Sequence, residues 1–162
     1  MKAVTSLHGR LAGIGPAGQL NAEGGLTFGE SSIVNVTAST LTVKPQLHAG
    51  KTITLNRAAG GTCTLPAATG SGDVYEVLVG TTVTSNADIV KVANATDTMT
   101  GWAILAQDSA DTVVEFDAVS GTSDTISLNG STTGGIKGAR ISVRDIKLDG
   151  TNAIWLVEVI GT

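Results

Sequence analysis

At 162 residues with a net charge of −4, the chain is long enough for one domain with a real core and short for two. Its acidity and lack of any Lys/Arg cluster exclude a surface built to track nucleic-acid phosphates, and no run nears the roughly 18 to 20 apolar residues that span a bilayer. Hydrophobic residues at 41%, only 3% aromatics and 21 glycines exclude a polar disordered chain and point to an all-β protein rich in turns, its core filled by Val, Ile, Leu and Ala. Such a core gains stability from association. A single cysteine, Cys63, leaves no internal disulfide, and the sequence shows no positively charged start followed by a long apolar stretch and a cleavage signature, so synthesis in a reducing cytoplasm is expected. The N-x-[ST] matches at Asn35, Asn94 and Asn129 are accordingly read as chance.

Residues 1–31 form the first segment. It is glycine-rich, has no sustained period of 2 or 3.6, and carries Lys2 and Arg10 before its first acid, Glu23. Ordering so many glycines costs entropy, so the segment is expected to be an extended, flexible arm that orders against something else. It contains a literal G-x-G-x-x-G, Gly13 to Gly18. A dinucleotide site needs a buried strand before that motif, a helix opening at its end and an acid about 20 residues on. Here Pro16 removes an N–H donor, and Gly24 and Gly25 stand where the helix would run. The motif is read as part of the arm.

From residue 32 to 162 the pattern becomes short alternating runs between turn residues, predicted to form one β-sandwich or jelly-roll-like barrel of about eight to ten strands. Leu41 and Val43 alternate up to Pro45, which marks a strand end. Ile53 and Leu55 share a face, a turn follows at Gly60-Gly61, and Cys63 and Leu65 begin the next face. In "DVYEVLVG" the cleaner buried face is Tyr75, Val77 and Val79; "DIVKVA" follows with Asn86 and Asp88 as turn formers. These are meander signals. Trp102, Ile104 and Ala106 then fall on one side of a strand; Val114, Phe116 and Ala118, and then Ile126 and Leu128, do the same on two more. Asn129-Gly130 is the best short hairpin signal. "GARISVRDI" and "NAIWLVEVI" form a last hairpin across "KLDGT", with Trp155, Val157 and Val159 inward.

No catalytic constellation emerges. Cys63 would need an adjacent base, and the two histidines are His8 in the arm and His48 in a loop; a buried apolar thiol is the simpler reading. "GTSDT" lacks the glycine that a nucleophile elbow requires. Asp108, Asp111, Glu115 and Asp117 do not match a calcium-loop spacing and are read as a solvated strand face. Neither histidine lies in a metal-type motif. The chain is thus read as a non-enzyme with no cofactor, no metal, no nucleic acid and no membrane partner. Its work would be contact.

The stretch from Lys51 to Ala93, with its phrases "LPAATGSG" and "GTTVTSN", resembles a group of small virion proteins of tailed bacteriophages. So do the later "LNGSTTGGIKG" and the closing "WLV". The resemblance implies a capsid decoration, or cement, protein: a homotrimer on the outer capsid surface of the virion, bound to the major capsid protein where capsomers meet, and made in the host cytoplasm. It carries no catalytic residues. On this reading the arm lies over the capsid, with Val4, Leu7, Leu11, Ile14 and Leu20 as apolar anchors and Lys2 and Arg10 pairing capsid acids. Several hundred Å² of apolar burial per arm, at about 25 cal/mol per Å², would be multiplied by trimer avidity. Two rivals use the same residues differently. A head-fibre or tail-appendage module would bind a host surface glycan through exposed aromatic platforms, but the few rings fall in strand runs that favour the core. A small jelly-roll hydrolase would need the ligand-spaced His/Glu set that this sequence lacks.

Overall fold

The computed structural model describes residues 4–5, 11–14, 20–22, 32–107 and 112–162, in two compact units, 1–31 and 32–162. The protein is all-β, with a single helical turn among the described residues. In the first unit, β1 (Val4–Thr5), β2 (Leu11–Ile14) and β3 (Leu20–Ala22) form a small antiparallel sheet in the order β1-β2-β3. Val4 faces Ala12 and Ile14 faces Leu20 in its register. Two short pairings therefore lie in a segment whose sequence has no strand period.

The second unit holds two sheets. The larger takes β4 (Ile33–Val36), β6 (Thr52–Leu55), β8 (Val74–Val79), β10 (Met99–Gln107), β11 (Thr112–Ala118), β13 (Arg140–Lys147) and β14 (Ala153–Gly161), in the order β11-β10-β14-β13-β8-β6-β4. The smaller takes β5 (Thr40–Thr42), β7 (Thr62–Thr64), β9 (Asp88–Lys91) and β12 (Thr125–Leu128), in the order β12-β9-β7-β5. Pro45 does end a strand run, and it opens the one-turn helix α1 (Pro45–His48), where its fixed φ and missing N–H are tolerated.

The pairing departs from the expected meander. From β4 to β9 the chain alternates between the sheets, and within each sheet the neighbours are parallel: β4 with β6 and β6 with β8, β5 with β7 and β7 with β9. The Gly60-Gly61 turn consequently joins strands of different sheets. Gly60 has φ +71°, and a Cβ there would lie 2.3 Å from the Ala87 carbonyl oxygen; only glycine fits that crossing. Asn129-Gly130 is likewise no two-residue hairpin. β12 pairs with β9, and the next strand, β13, lies in the other sheet. The Asn129 side-chain carbonyl instead accepts from the backbone N–H groups of Ser131, Thr132 and Thr133, an Asx-type closure that competes with hairpin geometry. The last hairpin forms as the alternation predicts, with Lys147 opposite Ala153 and Arg140 opposite Ile160.

One hydrophobic cluster draws on both sheets. Tyr75, Val77 and Val79 are buried on β8, Ile141 and Val143 on β13, and Trp155, Val157 and Val159 on β14; Cys63 and Val90 come from the smaller sheet, with Leu65 just beyond β7. Each alternates with less buried neighbours, the two-residue period of a strand with one face in the core. Tyr75 and Trp155 meet at 5.9 Å between ring centroids with their planes 59° apart, a tilted pairing that favours ring edge toward ring face.

Candidate contact surface

The larger sheet has seven strands and the smaller four, and the corner formed by β10 and β11 is the part where apolar side chains stay in water. Trp102, Ile104, Val113, Phe116, Val119 and Ile160 are all exposed there, Val113 at 65% and Phe116 at 43%. β11 is buried on neither face. Register sorts its residues. Glu115 lies opposite Ile104 and Asp117 opposite Trp102, with Glu158 and Ile160 of β14 next to Trp102 and Ile104 in turn. That face is apolar, edged with acids. Phe116 lies opposite Ala103, and Val114 opposite the buried Leu105, so these two point the other way.

On that second face a cavity of about 210 Å³ opens between the sheets, walled by Met99, Leu105, Phe116, Ile126, Leu128 and Val159. Trp102 and Phe116, which their strand runs assign to the core, are therefore both exposed. Alternation puts them on opposite faces of the sheet, and both border the cavity. The exposed, clustered apolar corner is the kind of surface that a partner covers.

Other candidate residues have local roles. Burial pushes the Cys63 thiol up to about 12, which keeps it protonated and unreactive. The His48 Nδ1 accepts from the Lys44 backbone N–H at 2.8 Å; burial, then Lys51 and Lys44, hold the ring below its ordinary pKa and so neutral. Glu115 and Asp117 sit on the outer face of β11, while Asp108 and Asp111 lie outside the described residues. Among the described residues no group of three His, Cys, Asp or Glu is placed to hold a metal, and no helix is long and apolar enough to cross a membrane. Of the arm anchors, Val4 lies on β1, Leu11 and Ile14 on β2 and Leu20 on β3; Lys2, Leu7 and Arg10 lie outside the described residues, as does His8. The glycine motif begins in β2, and the next element is the antiparallel β3, where a phosphate site would need a helix.

Two buried acids carry further chemistry: Asp145, which the strand pattern did not single out, and Asp88, expected as a turn former but buried at the start of β9. Asp145, 2% exposed, is wrapped by residues 69–71. The Thr69 N–H donates to both its oxygens at 3.1 and 3.0 Å, the Gly70 N–H to Oδ1 at 2.7 Å and the Ser71 N–H to Oδ2 at 3.2 Å, and the Thr69 and Ser71 hydroxyls both donate to Oδ2. Burial pushes its pKa up, but these donors together outweigh that and hold it below the ordinary carboxylate range. The signal was available: Asp145 keeps the parity of Ile141 and Val143. Asp88 shares the parity of Val90 in the same way. It is 1% exposed, with no hydrogen-bond partner on either carboxylate oxygen. Burial raises it to about 6, with the Gly61 backbone and Arg57 offsetting only part.

No family model matches the sequence, and comparison with curated proteins and with solved structures returns no match.

Proposed function

We propose that this chain is a structural decoration (cement) protein of a tailed-bacteriophage capsid, a homotrimer that binds the outer surface of the head and stabilises it by bridging neighbouring capsomers. The observation that carries the reading is the β10–β11 corner: an all-β unit with a small, aromatic-poor core leaves Trp102, Ile104, Val113, Phe116 and Ile160 in water, and a protein whose work is contact has a use for them. The resemblance of the "LPAATGSG", "GTTVTSN" and "LNGSTTGGIKG" phrases to phage virion proteins supports the same class. We read the two sheets as the facing layers of a sandwich, with β4 to β9 wound as three two-strand coils and the antiparallel strands added after them. The 1–31 unit serves in this reading as the arm that reaches the shell, through Lys2, Val4, Leu7, Arg10, Leu11, Ile14 and Leu20.

The test is mass by light scattering, alone and with undecorated capsids, followed by sedimentation of the capsids. A trimer that co-sediments saturably supports the reading. A monomer that stays in the supernatant overturns it. The exposure of Trp102 and Phe116 favours one second reading, a module that binds a host-surface glycan, and retention of the chain on a glycan array would move the assignment there.

A further inference from the structure

The larger sheet ends at β11, and no strand pairs with its outer edge among the described residues. An edge strand with exposed apolar side chains, as over residues 113–118, is a template for another strand. Its two faces are chemically different. On one, Phe116 borders the 210 Å³ cavity with Ile126 and Leu128, a mainly apolar space whose rim Trp102 and Asp117 also reach; on the other, the register sets Glu115 beside Ile104 and Asp117 beside Trp102, with Glu158 one strand further in. The next cation in the register on this second face is Arg140, beyond Ile160.

We propose that the β11 edge is a docking site for an extended segment of a partner protein in which Lys or Arg alternates with apolar residues, added as a further strand of the larger sheet. The inference rests on the capsid reading for its partner, the shell protein. The period of two selects that occupant. An added strand presents every second side chain toward the cavity, which takes apolar groups, and the intervening ones toward Glu115 and Asp117, which take cations. A second copy of β11 fits poorly. Antiparallel self-pairing of Thr112–Ala118 about its centre sets Glu115 against Glu115, and like charges directly opposite one another destabilise a ladder.

The test uses the full chain, isotopically labelled, titrated with a synthetic eight-residue Lys–Val alternating peptide, with the Glu–Val counterpart as control. The amide signals of residues 113–118 are expected to shift with the Lys–Val peptide alone. An E115K/D117K double variant, altered only at exposed positions and checked for an unchanged unfolding midpoint, is expected to weaken that binding at least about tenfold, with a matching loss on undecorated capsids. If capsids bind the chain but neither the peptide nor the double variant has any effect, the docking site is wrong and the capsid reading stands. If capsids do not bind the chain, the shell protein is not the partner; the peptide shifts then decide the site by themselves, and their absence overturns it.

Discussion

The centre of the larger sheet and its β10–β11 corner are written in the same code and end in opposite environments. β8 and β13 alternate buried and more exposed residues, and their inward faces are sealed: Tyr75, Val77, Ile141 and Val143 are fully buried. β11 carries Val113, Val114 and Phe116, yet is buried on neither face. A strand pattern states which residues share a face, while tertiary packing decides whether that face is covered.

Substitutions sharpen the contrast. Trp155→Ala, in the sealed centre, is expected to cost about 3–5 kcal/mol, because it removes the largest fully buried side chain and leaves a cavity; urea unfolding measures it. Asp145→Ala comes next at about 2–4 kcal/mol, since it strands the buried donors of residues 69–71. Its carboxylate sits below its ordinary pKa, so the stability it contributes is present above about pH 4 and is lost as the pH falls through the folded value. The wild type should therefore approach the variant's stability in acid.

Asp88 has the opposite sign. Its folded pKa of about 6 lies above the ordinary 3.8, so its contribution is fully present below pH 3.8 and is lost as the pH rises through about 6. Asp88→Asn should raise stability by about 1 kcal/mol at pH 7.5, with the gain vanishing toward pH 4, as thermal melts at the two pH values would record. Phe116→Ala, at the open corner, should cost less than about 1 kcal/mol. A loss as large as that at Trp155 would mean that the corner belongs to the core.

The sequence was most informative about faces. The inward sets Tyr75, Val77, Val79 and Trp155, Val157, Val159 follow from alternation, and the final hairpin follows from "KLDGT" between two long alternating runs. Partners were not legible. Parallel neighbours such as β6 and β8 are 18 or more residues apart, and no turn residue encodes their pairing. Asn129 misled because its side chain can satisfy three backbone N–H groups locally, which removes the need for the two-residue turn its dipeptide suggests. Two of the turn-like phrases prove to be closures: the Thr-Gly-Ser of "LPAATGSG" wraps Asp145, while Asn86, which ends "GTTVTSN", donates to the Ala59 carbonyl. Such phrases report the scaffold. The contact corner, by contrast, carries no phrase.

The most direct measurement is amide hydrogen exchange on the full chain, free and bound to undecorated capsids. The account predicts slow exchange across β8, β13 and β14 in both states, with β11 exchanging fast when free and becoming protected when bound. A β11 as protected as β13 in the free chain, or unchanged on bound capsids, would contradict it.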